Sequence, residues 1–361
     1  MKVESPLPLY RQVADKIASW VDSGRLKPGW QLVSERTMSE VLNLSRRTIR
    51  TALQDLVKRG YVSVTHGCGN FVNEPPVKRP VRILVLEKFS LELASFTPQY
   101  HDQLHQAEKQ SNVSVHYKYV PTVESLREIL ASPPSGYDGM FIYRPPQDWL
   151  NELLGEHKAQ IQEKLAVPLL ISYRVLRGSG YHFVSPDHFG QTYAAARKLI
   201  ALGHRRIGYI SGMLSQDFMW EARNGYLKAL QENGITPLEE DQFFMESFNI
   251  AENERLIGDF IRKRQWTAVI VTGSAFSVPF ENAVQRAAIH VPSELSAILI
   301  TERKMLDTLA LRWSANLYPE NIIARCMELF SQIVVPSADT VVEELIPHEE
   351  VPGATCQRVS G

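Results

Sequence analysis

From residue 81 onward, short apolar runs alternate with amphipathic segments of helix length. The runs are Ile83–Leu86, Val113–Tyr119, Met140–Tyr143, Val167–Tyr173, Ile207–Ser211, Ala268–Thr272 and Ser296–Ile300. That alternation marks βαβ units and a parallel sheet, because parallel strands need a crossover between them and a helix is the usual one. The segment of about 280 residues is long for a single sheet, so two similar α/β lobes are expected.

The pattern does not extend to the N-terminus. Residues 74–80, with Pro75, Pro76 and Pro80 among polar neighbours, read as an extended linker. The expected organisation is therefore a domain at 1–73, a linker at 74–80 and a larger domain at 81–361. The charge follows the same division. The whole chain has 39 Lys and Arg against 40 Asp and Glu, which by itself points to no polyanionic partner. Residues 1–80 hold 13 of the basic and only 7 of the acidic residues, leaving 26 against 33 for the remainder. A basic head on an acidic body calls for a search of the head for a nucleic-acid-binding element.

Three cysteines, Cys68, Cys326 and Cys356, stand far apart with no CxxC spacing, so a reducing compartment is expected. Residues 1–12 contain no apolar signal core, and no run approaches the roughly 18 apolar residues of a membrane span. The expected location is the cytoplasm, with no membrane contact.

In the head, Leu9, Val13, Ile17, Trp20 and Val21 fall on one helical face that ends at Ser23-Gly24. Pro28-Gly29 is a turn. Ser34 caps a short helix to Leu42, with Met38, Val41 and Leu42 expected inward. After Asn43-Leu44, Ser45 caps a second helix running to Arg59, with Ile49, Leu53, Leu56 and Val57 on its apolar face. Two short helices joined this tightly form a helix-turn-helix. Arg46, Arg47 and Arg50 occupy the start of the second helix, the end that reaches bases when such a helix enters the major groove. Tyr61–Thr65 and Asn70–Val72 flank the Gly-rich tip His66-Gly67-Cys68-Gly69, a β-hairpin of the kind that forms a wing.

Several spaced motifs in this head, in order, resemble the winged-helix domain of the GntR family. They are Pro8-Leu9-Tyr10-Arg11-Gln12-Val13, Ser34-Glu35-Arg36, Leu44-Ser45-Arg46-Arg47-Thr48-Ile49-Arg50 and Gly67-Cys68-Gly69-Asn70-Phe71-Val72. The resemblance implies contacts to double-stranded operator DNA from Arg36, Arg46, Thr48 and Arg50, and from His66 and Gly67 in the wing. Arg47 on the helix and Gly69 in the wing are counted with them. It also implies binding as a homodimer to a palindromic operator.

In the body, Val184-Ser185-Pro186-Asp187-His188-Phe189-Gly190 leads into a helix. Leu202-Gly203-His204-Arg205-Arg206-Ile207-Gly208, Gly225-Tyr226 and Val291-Pro292-Ser293-Glu294 follow it. These resemble the effector domain of LacI/GalR-type repressors. The implied architecture is a two-lobed, periplasmic-binding-protein-like type I fold. Lobe one is expected at about 81–184 and 303–316, lobe two at about 187–301 and 320–347, with a small-molecule effector between them.

Open α/β sheets bind ligands beyond the carboxyl ends of their strands. The candidates are Phe89 and Ser90, Tyr143 and Arg144, Tyr173 and Arg174, Asp187, Phe218 and Trp220, and Ser274. Aromatic faces with Arg and Asp nearby would suit a carbohydrate. The chain departs from the family where a ligand-touching Arg would stand, at Ala222, with Arg223 one step later. It departs again at Ala275 and Thr301, where the family places Asp.

No phosphate loop, nucleophile elbow or metal spacing occurs. His101 and His105 lack the Glu of a zinc-hydrolase motif and read as a solvated helix face. No cofactor, metal or catalysis is expected. The sequence thus points to an effector-controlled transcriptional repressor. The alternative is a DNA-binding regulator whose larger domain serves dimerisation or protein interaction without an effector.

Overall fold

The computed structural model describes residues 8–65, 67, 69–74, 79–88, 97–212, 217–245, 249–334 and 341–359. The chain divides into two compact units, Met1–Arg79 and Pro80–Gly361.

The first unit contains α1 (Leu9–Asp22), α2 (Glu35–Leu42), α3 (Arg46–Lys58), β1 (Val62–Thr65) and β2 (Gly69–Val72). Ser34 and Ser45 accept hydrogen bonds from the backbone N–H of Thr37 and Thr48, each at 3.1 Å, satisfying donors that the first turns of α2 and α3 would leave open. Asn43 takes a left-handed conformation (φ 53°) to end α2 and start the turn. Ala14, Ile17 and Val21 of α1 meet Ile49, Leu53 and Leu56 of α3 in the core, closed by Tyr61, Val62 and Val72. Val41 and Leu42 do not face inward as expected; they are 77% and 44% exposed. α2 enters the core through Met38 alone. β1 and β2 pair antiparallel from Val62–Val72 to Thr65–Gly69. Gly67 and Gly69 have φ of 77° and 115°, values that other residues adopt at a cost.

The second unit begins with β3 (Val81–Glu87), α4 (Thr97–Gln110), β4 (Val113–Tyr119), α5 (Val123–Ala131), β5 (Gly139–Tyr143), α6 (Gln147–Leu154) and α7 (Lys158–Lys164). It continues through β6 (Leu169–Ser172), β7 (His182–Pro186), α8 (His188–Ala201), β8 (Ile207–Ser211), α9 (Asp217–Glu232), β9 (Gln242–Phe244) and α10 (Ile250–Lys263). It ends with β10 (Ala268–Thr272), α11 (Ser277–Arg286), β11 (Ser296–Thr301), α12 (Arg303–Leu306), β12 (Ser314–Leu317), α13 (Ile322–Ile333), β13 (Glu343–Ile346) and β14 (Glu349–Val351). Among the described residues no helix is long and apolar enough to cross a membrane.

Two six-stranded sheets result, in the orders β13-β7-β6-β5-β3-β4 and β14-β12-β11-β10-β8-β9. The first is parallel throughout. The second is parallel except for β14. Alternate residues of each central strand serve opposite faces. Leu84 and Leu86 pack with α5, α6 and α7, while Ile83 and Val85 pack with α4 and α13. In the second sheet Val269 and Val271 pack with α10 and α11, and Ile270 and Ile298 with α8 and α9.

The chain passes between the lobes after Pro186, after Leu317 and after Ile346. This corrects the expected lobe segments. Residues 303–316 belong to the second lobe, because β12 extends that sheet beside β11. Most of 320–347 belongs to the first. The apolar face of α13 (Ile323, Met327, Phe330) finds its partners at Ile83, Val85 and Phe141, and β13 adds to β7.

Candidate functional site

Capping by Ser45 leaves the first turns of α3 free to present side chains outward. Arg46, Arg47 and Arg50 are all exposed, while Ile49 between them is buried and anchors the helix. Thr48 is tied down, its hydroxyl 2.8 Å from that of Ser45. Arg50 is held from the preceding helix. Its Nη2 donates to Glu35 Oε2 at 2.8 Å and its Nε to the same oxygen at 3.1 Å. The Glu35 hydrogen bond and charge raise the pKa of Arg50. Arg36 donates to Glu40 across one turn at 3.0 Å. Gly67 and Gly69 lie at the hairpin tip; His66 lies outside the described residues.

In the second unit, the carboxyl ends of β5 and β6 in one lobe face His188, Phe218, Glu302 and Tyr318 of the other. Tyr143 stacks on Tyr100 at 4.0 Å and meets Tyr173 edge-on at 5.3 Å. The Arg144 guanidinium lies 4.0 Å from the centroid of the Tyr173 ring. Arg174 donates to the main-chain oxygens of Tyr173 and Pro145 at 3.1 and 2.9 Å, and lies 5.3 Å from the Phe218 ring across the cleft. His188 is 5.3 Å from Phe218 and 5.8 Å from Tyr318.

Arg144 and Tyr173 adopt left-handed backbone conformations, φ 45° and 59°, which bulky residues rarely take. Such strain concentrates where a fold positions a site. Burial and the positive charges of Arg144 and Arg174 push His188 down to about 3, so its imidazole is neutral at physiological pH. Burial opposes the charge of Arg144, but Tyr143, Tyr173 and Glu302 around it raise its pKa. Ser172 Oγ, His188 Nε2 and both amide atoms of Gln191 are buried without a hydrogen-bond partner among the described residues.

Other candidates lie elsewhere or already have a structural task. Asp187 accepts from the Gly190 N–H at 2.8 Å and caps α8. Ser274 Oγ accepts from the Glu302 N–H at 3.0 Å, at the rim of the second lobe. Arg223 donates to Gln242 at 2.7 Å and lies 5.4 Å from the Trp220 ring, while Trp220 is 44% exposed. That pair faces the β9 edge. Phe89 and Ser90 lie outside the described residues.

A family model described as bacterial regulatory proteins, gntR family, matches residues 9–72. A model for the periplasmic binding protein-like domain matches residues 196–356. The chain joins a gntR-family domain to a periplasmic-binding-protein-like domain.

Its relatives match it over different lengths. An arabinose metabolism transcriptional repressor of Halalkalibacterium halodurans is 23% identical over 305 residues, 80% of this chain and 79% of that protein. The transcriptional repressor NagR of Bacillus subtilis is 32% identical over 95 residues, 26% of this chain. The chain spans only 39% of NagR's length. The lac repressor dimer bound to operator and an anti-inducer superposes with a TM-score of 0.63 at 17% identity, covering 78% of this chain and 96% of that one. This last likeness shows a shared fold.

Sequence reasoning missed Glu35 in the gntR-family domain, and His188, Gln191, Glu302 and Tyr318 in the larger one. Glu35 is 15 positions from Arg50 and only the turn between the helices brings them together. His188 adjoins Asp187, which drew attention as the only acid of its motif. Tyr318 follows β12, whose lobe was misplaced.

Proposed function

We propose that this chain is a DNA-binding transcriptional repressor, acting as a homodimer, whose two-lobed domain responds to a sugar or sugar-like small molecule. The observation that carries the first part is the outward row Arg46, Arg47 and Arg50 at the start of α3, on a gntR-family helix-turn-helix. Arginine forks suit guanine edges and phosphates. Thr48, Arg36, Gly67 and Gly69 would add phosphate contacts on the same surface, and His66, outside the described residues, is counted with them from the sequence. In the larger domain Tyr143, Arg144, Tyr173, Arg174 and Phe218 form the effector pocket with His188 and Glu302. Asp187, Ser274, Trp220 and Arg223 stand at its margins or beyond, and Phe89 lies outside the described residues.

Effector binding changes the balance between lobe arrangements, and with it the spacing of the paired heads on two operator half-sites. A mutational test addresses the head. Arg46→Ala and Arg50→Ala should each weaken operator binding by about 1–3 kcal/mol per lost base contact, read by fluorescence anisotropy. Unchanged affinity in both variants would overturn the assignment of α3.

A second reading has one observation in its favour. Arg174 and Phe218 already touch across the cleft, as they would in a body that dimerises without an effector. A thermal-shift screen separates the two readings, since a ligand of the folded state raises its melting temperature by mass action.

A further inference from the structure

We propose that the larger domain carries its own interlobe latch: Arg174, fixed on the first lobe, lies over the ring of Phe218 on the second and keeps the lobes closed in the absence of any ligand. Whatever enters the cleft then has to break this contact, so occupancy opens the domain rather than closing it. The latch needs only the two-lobed architecture and does not depend on the effector being a sugar.

Its first half is set by the backbone of the first lobe. Tyr173, directly after β6, turns the chain with a left-handed conformation (φ 59°) and hands it to Arg174. The Arg174 guanidinium donates to the main-chain oxygens of Tyr173 at 3.1 Å and of Pro145, after the neighbouring strand β5, at 2.9 Å. Both anchors belong to the same lobe as the arginine, so they persist whether the lobes are open or closed. A guanidinium tied through its N–H edge still has its flat faces, and a flat face is what stacks on an aromatic ring.

Its second half is set by the packing of α8 and α9. Phe218 stands in the first turn of α9, with its ring centroid 5.3 Å from the Arg174 guanidinium. That lies within the reach of a cation–π contact. Phe218 is braced from behind by His188, the first residue of α8, whose ring is 5.3 Å away and in turn meets Tyr318 at 5.8 Å. α8 and α9 pack too tightly at Gly225 and Phe189 for the ring to retreat by moving the helix. His188 is neutral, so it sits beside Arg174 without adding a second positive charge. Arg174 and His188 are only 8% and 5% exposed, so the contact is largely shielded from water, where a cation over a ring is worth most. A cation held on one lobe and a ring held on the other meet only when the lobes are together.

The test measures closure directly, on the full chain with no compound added. Two spin labels, carried by unnatural amino acids so that the native cysteines stay in place, go at Lys118 on β4 and Glu239 just before β9. Both positions are exposed, and β4 and β9 are the sheet edges opposite the strands that carry the passages between lobes. Dilution with unlabelled chain restricts pulsed dipolar measurements to distances within one protomer. The parent should show mainly the short, closed separation. Arg174→Gln and Phe218→Leu should each lower the ratio of short to long distances roughly tenfold, the size of a desolvated cation–π contact. Phe218→Tyr, which keeps the ring, should retain the parent distribution.

A parent that is mainly open overturns the latch. So does the parent distribution in both Arg174→Gln and Phe218→Leu once melting curves show them folded, and so does a Phe218→Tyr protein as open as Phe218→Leu. Because no ligand takes part, each of these outcomes leaves the effector reading standing.

Discussion

Arg50 illustrates how the sequence can place a residue on its helix and still leave its surroundings unseen. Its place on α3 follows from helical spacing, but the carboxylate that fixes its direction comes from α2. Glu35 holds the guanidinium by two nitrogens, so in the proposed DNA complex the side chain would arrive already oriented rather than lose several rotamers on contact. The pair is solvent-exposed, with 63% and 32% of the two side chains accessible, and contributes little to stability. Its effect should be on discrimination. Glu35→Gln should raise affinity for random-sequence DNA a few-fold by removing a negative charge, and narrow the ratio of operator to random binding. Competition anisotropy at fixed salt measures both, and an unchanged ratio would count against an orienting role.

His188 makes a prediction about pH. Its pKa in the folded protein is depressed to about 3 from an ordinary value near 6.5. The unfolded chain therefore binds this proton more readily between those values, and acid favours unfolding. Stability is unaffected by this group above pH 6.5 and declines as pH falls from there toward 3, by at most about 1.4 kcal/mol per pH unit. Denaturant melts across that range should show the slope, and His188→Gln should flatten it. Equal slopes in both proteins would mean that other groups carry the acid sensitivity.

At the scale of elements, α8 and α9 cross so closely that their backbones nearly touch. A Cβ added at Gly225 would lie 2.2 Å from the Phe189 carbonyl oxygen, a rigid main-chain atom. Gly225→Ala should therefore force the helices apart and cost about 1–3 kcal/mol, as overpacking does. A melting temperature within a degree of the parent would show that the helices can separate freely. Because α8 starts at His188 and α9 carries Phe218, a displacement here would also loosen the second lobe's side of the proposed effector pocket.

Each apolar run noted in the sequence overlaps a strand, because a strand covered on both faces has to be apolar at nearly every position. Three of the strands that escaped notice are edges. β13 and β14 carry Glu343, Glu344, Glu349 and Glu350, and β9 is three residues long. Charged, short edge strands resist pairing with other chains, and the same features remove any apolar signal. β12 has no such excuse of position. Ser314-Ala315-Asn316-Leu317 is buried throughout yet only half apolar. Asn316 is satisfied by the Gln191 carbonyl, 125 positions away. With that strand invisible, the second passage between lobes could not be located, and the assignment of α13 went wrong with it.

At the scale of the molecule, the division into a basic head and an acidic body coincides with the two compact units. That much follows from counting residues along the chain, and the acidity of the body should keep it clear of phosphates and leave DNA contact to the head. The head's helices, caps and wing were legible because each has a local cause in Ser34, Ser45, Asn43 and the wing glycines. The pocket was legible only in part. Tyr143, Arg144, Tyr173 and Arg174 follow apolar runs and could be placed at strand ends. His188 and Gln191 of α8, Glu302 after β11 and Tyr318 after β12 come from three separate stretches that only the second lobe's topology gathers.

The three passages between the lobes have a mechanical meaning. A single tether would let two bodies swing, twist and drift apart, whereas three short ones form a bearing in which bending is the soft motion and stretching and shear are stiff. Whatever enters the cleft can then be converted into one coordinate, the angle of closure, rather than dispersed among many. Each of those tethers is a place where a stiffer residue, far from ligand and DNA alike, would set how easily the angle turns.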